Sequence, residues 1–178
     1  MKVNETKSTH ITFTLRKRHC PPVCINQNEM PQVEKVKYLG LHFDCKLTWK
    51  EHIAKKSKQL DHKTCDIKWL ISRKSPLSLE NKTLIYKTIL KSIWTYGIEM
   101  WGCASKSNIA IMQRYQSKIL RTIANAPWYV TNQTLHTALQ IPYVSTVIQD
   151  RTNKHLIALA SHPKPLWNQC SIQSTTKD

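Results

Sequence analysis

Glycine is scarce, with three residues in 178. A nucleotide fold built on Gly-rich phosphate loops needs several at close spacing, so that class is excluded. Carboxylates are few and scattered. The aspartates are Asp44, Asp61, Asp66, Asp150 and Asp178, and no two are adjacent or one residue apart. Two-metal phosphoryl transfer needs clustered carboxylates that hold divalent ions ~3.5–4 Å apart. Asp61 and Asp66 share a helical stretch, but five residues rotate them about 140° apart, onto different faces. No catalytic residue and no metal site for a self-contained nuclease or polymerase is therefore expected. Long apolar runs are missing as well. A spanning helix needs ~18 or more apolar residues, and the richest stretch, Ile89 to Ala104, is interrupted by Lys91 and Glu99. It reads as a buried helix, and no membrane partner is expected. Met1 to Lys7 lacks the apolar core of a signal peptide. An intracellular protein, in nucleus or cytoplasm, is expected, with its six cysteines as reduced thiols despite their even number.

What is present is positive charge. Lys and Arg number 27 against 11 Asp and Glu, a formal net charge of +16. On a chain with 40% hydrophobic residues and six tryptophans, enough for a real core, such a surplus calls for a polyanionic partner. Nucleic acid or an anionic membrane surface has that charge; nucleic acid is the expected partner, with no small-molecule ligand, and a soluble domain that is incidentally basic is the alternative.

The pattern changes near residue 45. Thr9 to Arg16 alternates, with Ile11, Phe13 and Leu15 apolar, and predicts a strand. Pro21-Pro22 break it, Val23 and Ile25 begin a second strand, and Asn26-Gln27-Asn28 is turn chemistry. Val36 to Phe43 predicts one further strand with Leu39, Leu41 and Phe43 on one face. Beyond it the period is helical. Thr48 and Glu51 have capping-box spacing. Trp49, Ile53, Leu60, Ile67 and Ile71 form the apolar stripe of one long helix. Ser78 can cap a second helix towards Gly97, apolar on a broad arc that includes Leu84, Ile85, Ile89 and Trp94. A third helix opens near Ser107-Asn108 and stops at Asn125-Ala-Pro127. Shorter ones are expected around 133–139 and 146–160. The fold class is α+β, mostly α: short antiparallel strands over 1–44, a helical bundle over 45–162 and a tail at 163–178.

The third helix carries the most specific signal. Arg114, Lys118 and Arg121 fall within one arc, opposite Met112, Tyr115, Ile119, Leu120 and Ile123. No acidic residue interrupts the helix. Three cations at one-turn spacing suit successive phosphates of a backbone; an ordinary solvated face has the same spacing. Lys55 and Lys58 on the first helix share their surface with Asp61 and give a weaker signal. Cys20 and Cys24 have a C-x₃-C spacing beside His19, but His42 and Cys45 make a poor second pair for zinc. A Cys–His nucleophile has no support beyond the presence of both residue types.

Five blocks in order carry a resemblance. Val36-Lys-Tyr-Leu-Gly-Leu-His-Phe-Asp44 with Leu47-Thr-Trp49 and His52-Ile53 resembles the end of the palm in non-LTR retrotransposon reverse transcriptases. Tyr96-Gly97 with Trp101-Gly102, then Gln113 to Arg121, then Ala126-Pro-Trp-Tyr-Val130 resemble the thumb that follows. Together with Asn4 to Lys7, these blocks are most similar to jockey-type elements of insects. The resemblance implies a palm remnant over 1–44 and a helical thumb over 45–162. It implies that Tyr38, Leu39 and Gly40 belong to a primer-grip hairpin, and that the thumb grips a template–primer duplex without sequence preference. It also implies that the catalytic aspartates and the Mg²⁺ they hold lie upstream, with no counterpart here. Such elements copy RNA from its 3′ end, so incomplete copying leaves carboxy-terminal pieces of this shape. A different implication of the same residues is a non-catalytic nucleic-acid-binding or adaptor protein repurposed from the element, and a third is an untranslated relic.

Overall fold

Asp44 begins the helical part of the molecule. In the computed structural model, which describes residues 8–15, 21–25 and 28–161, its carboxylate accepts the Thr48 N–H at 2.9 Å, the Thr48 hydroxyl at 2.9 Å and the Trp49 N–H at 3.0 Å. Burial alone would push this carboxyl up, but the three donors outweigh that and hold its pKa below the ordinary value. Trp49 sits in the left-handed region at φ 61° and is only 3% exposed. The chain therefore turns sharply and buries the indole as helix α1 (Lys50–Asp66) starts. The expected capping box does not form. Thr48 is committed to Asp44, and Glu51 is drawn to Lys35 at 2.7 Å and Lys55 at 3.0 Å.

Ahead of α1 lie two antiparallel strand pairs. β1 (Cys24–Ile25) pairs with β2 (Asn28–Glu29), and β3 (Lys35–Tyr38) with β4 (Leu41–Asp44). The single strand expected over Val36 to Phe43 is thus a hairpin. Its two-residue turn is Leu39-Gly40, with φ 47° and 77°. Two positive φ values in succession give the turn whose twist matches that of paired strands, and Gly40 supplies the second without strain. The strand expected over Thr9 to Arg16 is also absent from its described part, residues 9–15. That part makes a lone bridge from His10 to Gln32 and a bond from the Thr14 N–H to the Cys45 carbonyl. Phe13 and Leu15 remain exposed, with Phe13 meeting the Phe43 ring edge-on at 6.2 Å between centroids. Arg16, the Asn26-Gln27 part of the expected turn and the tail at 163–178 lie outside the described residues.

The helices run α1, α2 (Lys68–Ile71), α3 (Leu79–Ile85), α4 (Lys91–Thr95), α5 (Ile98–Trp101), α6 (Lys106–Ile123), α7 (Asn132–Ala138) and α8 (Val144–Ala160). The expected first helix breaks at Ile67, so its last turn is separate. Ser78 caps α3 by accepting the Asn81 N–H at 3.3 Å, as its position predicts. A π-helical turn, Tyr86–Leu90, joins α3 to α4. Residues four apart drift about 40° per step on a straight α-helix, and the wider turn offsets that drift. Tyr86, Leu90 and Trp94 are all buried as a result, while Leu84 is 57% exposed. The buried face is narrower than the broad arc read from sequence. The core gathers these three residues with Trp49, Ile53, Leu60, Trp101, Ile119, Leu120 and Ile148. Leu41 of β4 is part of the same core. Gly102 lets α5 and α8 touch, since a Cβ there would meet the Ile148 side chain at 2.8 Å.

Candidate nucleic-acid interface

Helix α6 is fixed along its inner side by polar joints as well as by apolar packing. Ser105 caps it, accepting the Asn108 N–H at 3.4 Å, two residues ahead of the expected start. The Gln113 side-chain oxygen accepts the Val144 N–H at 2.8 Å, at the start of α8. Its amide group donates to His136 Nε2 at 3.3 Å, and His136 in turn donates from Nδ1 to the Ile141 carbonyl at 2.7 Å. Gln116 donates to the Tyr86 hydroxyl at 3.1 Å and to the Pro142 carbonyl at 3.0 Å. The Tyr115 hydroxyl joins Thr64 on α1, and Asn108 donates to the Thr48 carbonyl at 3.1 Å. Thr48 meets Asn108 and Thr64 meets Tyr115, so α6 is tied to both ends of α1. Burial pushes the Tyr86 and Tyr115 hydroxyls up to about 12, so both stay protonated.

The outer side holds the three cations predicted from sequence, in two different situations. Arg114 and Lys118 are exposed, and the Arg114 Nε donates to the Ala110 carbonyl one turn back at 3.3 Å. Arg121 does not stand free, which corrects the even stripe of three. Its guanidinium donates to the carbonyls of Pro127 at 2.9 Å and Val130 at 2.8 Å, and to the Asn132 side chain at 3.0 Å. It holds the loop that leaves α6. The acceptors are backbone atoms of a turn, which helical periodicity does not display.

On α1, Lys58 is exposed, whereas Lys55 is tied to Glu51 and donates to His42 Nδ1 at 3.3 Å. The partners of Lys55 are thus Glu51 and His42, rather than Asp61. Hydrogen bonds from Lys35 and Lys55 pull the Glu51 carboxyl down to about 2.

Tyr38, Leu39 and Gly40 form the exposed tip of the β3–β4 hairpin. The Tyr96 hydroxyl donates to the Leu39 carbonyl at 2.7 Å, and a Cβ on Gly40 would touch the Tyr96 ring at 3.4 Å. Gly97, at φ 64°, leaves room for Leu41, whose side chain would lie 2.7 Å from a Cβ there. The Trp101 indole closes the arrangement by donating to the Tyr96 carbonyl at 3.2 Å. Two sequence blocks that lie 57 residues apart, Leu39-Gly40 and Tyr96-Gly97, are therefore one contact. Beneath them His52 is fully buried and accepts the His42 backbone N–H at 3.3 Å. Burial, aided by Lys56 and His42, lowers its pKa to about 4. Nothing in the spacing of His52 revealed this position. Among the described residues no three His, Cys, Asp or Glu side chains gather as a metal site, and His19 and Cys20 lie outside them. Nor, among those residues, is any helix long and apolar enough to cross a membrane.

No protein-family model and no solved structure matches the chain. Curated relatives do. The chain is 39% identical over 166 residues to a probable RNA-directed DNA polymerase from transposon X-element of Drosophila melanogaster, covering 89% of this chain and 18% of that protein. It is 32% identical over 172 residues to the RNA-directed DNA polymerase from mobile element jockey of Drosophila funebris, covering 97% and 19%. With a probable polymerase from transposon BS of Drosophila melanogaster, identity is 32% over 164 residues, covering 91% and 18%. The chain thus spans less than a fifth of the length of the relatives it matches, corresponding to a carboxy-terminal portion of them. Similarity along nine-tenths of its length matches this chain to a carboxy-terminal portion of jockey-like non-LTR retrotransposon RNA-directed DNA polymerases.

Proposed function

We propose that this chain is a template–primer-binding segment of a mobile-element reverse transcriptase, without the carboxylates that catalyse nucleotide addition. The observation that carries the reading is helix α6. It is pinned on its inner side by Gln113, Tyr115 and Gln116 and offers Arg114 and Lys118 to solvent, with no acidic residue along its length. A rigid helix with cations alone on its outer face suits the phosphate backbone of a duplex, bound without regard to sequence. Lys58 adds to that charge from the neighbouring helix, Lys55 only in part because Glu51 neutralises it, and Arg121 supports the face by fixing the loop at its end. The hairpin tip, Tyr38 to Gly40, is held on Tyr96 and would support the primer end. In a full-length enzyme Mg²⁺ would be held by carboxylates outside this chain.

Two assays on the pure chain test this. Fluorescence anisotropy with an RNA–DNA or DNA duplex should show binding whose log affinity falls linearly with log salt, equally for unrelated sequences. Primer extension on the same duplexes with Mg²⁺ or Mn²⁺ should show no dNTP incorporation. Absence of duplex binding at low salt would end the binding half of the proposal, and extension abolished by a single carboxylate change would end the other.

A further inference from the structure

Trp128, in the loop after α6, is 90% exposed, more than any other large apolar side chain among the described residues. Tyr129 beside it is 69% exposed, and the two rings meet edge to face with centroids 6.0 Å apart. Leaving two aromatic rings in water forgoes the free energy of burying them. The loop that presents them is nevertheless held closely. Arg121 grips the Pro127 and Val130 carbonyls, one on each side of the pair. The Val130 N–H donates to the Pro127 carbonyl at 3.2 Å, and the Ala126 N–H donates to the Arg121 carbonyl at 3.1 Å. The backbone beneath the rings is therefore fixed before any partner arrives, which reduces the ordering cost of binding.

The surroundings say what kind of partner suits these rings. No Asp or Glu lies anywhere between Glu99 and Asp150, while Lys106, Arg114, Lys118 and Arg121 do. Lys118 is exposed one turn before Arg121. The partner must accept a cationic field and offer flat aromatic faces, and nucleic acid has both. Inside a duplex each base face is covered by its neighbours, so only unpaired or terminal bases can stack on a side chain. We propose that Trp128 and Tyr129 are a stacking platform for unpaired bases of a strand whose phosphates lie on Arg114 and Lys118. This rests on the nucleic-acid reading above and adds a preference for single strands and overhangs to it.

The test uses the whole chain and three labelled probes of one sequence: a single strand, a blunt duplex, and the duplex with a single-stranded overhang. Trp128→Ala combined with Tyr129→Ala should weaken binding of the single strand and the overhang by about tenfold or more. The blunt duplex should change by no more than about twofold, because all of its base faces but the two at its ends are closed. The salt slope should stay as in the wild type, since no charge is removed. Trp128→Phe should restore most of the loss, and melting temperature should hold for every variant because both rings are exposed. Equal losses on all three probes, or none on any, would overturn the stacking platform while leaving duplex binding intact. A variant that alters only self-association of the chain would overturn it too, by showing that the rings meet a second copy. If the wild type binds none of the probes, the underlying nucleic-acid reading has failed, and the platform fails with it.

Discussion

Two hairpins precede the helices, and they differ in almost everything but strand content. β1–β2 pairs two residues with two, Cys24 and Ile25 with Asn28 and Glu29, and no side chain of these four enters the core. β3–β4 pairs four with four, sends Leu41 into the core, and has its turn bonded to Tyr96. A two-stranded ribbon is marginal by itself in water. What distinguishes the second is a docking partner: two glycines, Gly40 and Gly97, bring hairpin and helices close enough for Leu41 to be shared. The segment that resembles the end of a palm is thus joined to the helical part through β3–β4.

Side-chain truncation should separate the hairpins most widely. Leu41→Ala removes a core side chain and should cost about 2–4 kcal/mol in chemical denaturation. Ile25→Ala, on the undocked ribbon, should stay within about 0.5 kcal/mol. Comparable costs would mean that both hairpins are equally integrated.

Protonation of His52 should loosen the docked hairpin in particular, because His52 accepts the His42 backbone N–H. Its pKa falls from an ordinary 6.5 to about 4 on folding. The unfolded chain therefore binds the extra proton first, and the stability due to neutral His52 is complete above pH ~6.5. It is lost as pH falls towards 4. Thermal melts should show this acid sensitivity over that window, and His52→Leu should flatten it even though the variant starts less stable. Glu51 contributes in a lower window, below its ordinary 4.5 and down to about 2. An unchanged slope between pH 6.5 and 4 in the variant would remove His52 from the explanation.

The glycines give the smallest but most local comparison. Gly97→Ala would place a Cβ 2.7 Å from Leu41 at a positive φ, combining crowding with backbone strain. Gly40→Ala would meet Tyr96 at an ordinary 3.4 Å and carry the strain alone, about 1 kcal/mol. Gly97→Ala should therefore be the more destabilising of the two in denaturant titrations, and the reverse order would refute the docking geometry.

Much of this was legible in the sequence where the signal is local. Ser78, Pro127 and the apolar arc of α6 mark helix ends and faces through neighbours within one or two turns. What escaped was decided by distant atoms. Leu39-Gly40 reads as strand because a two-residue turn barely interrupts alternation, and Gly40 was its one visible clue. The Thr48–Glu51 pattern was overruled by Asp44 and Lys35, both outside the helix. Arg121 shares an arc with Arg114 and Lys118, yet its acceptors are loop carbonyls that the helical pattern does not display. The same limit hid His52, whose spacing does not distinguish it from an exposed helix residue.

The contrast between Lys118 and Arg121 leads to the most direct measurement: duplex-binding isotherms over a series of salt concentrations, with melts of the same samples. Lys118→Gln should flatten the slope of log affinity against log salt by about one unit, with stability unchanged within about 0.5 kcal/mol. Arg121→Gln should instead cost about 1–3 kcal/mol of stability, because it removes the charged donor to the Val130 carbonyl and to the Asn132 side chain, and one of the two donors to the Pro127 carbonyl. If Lys118→Gln binds with the wild-type slope, the outer face of α6 is an ordinary solvated surface and does not carry the nucleic acid.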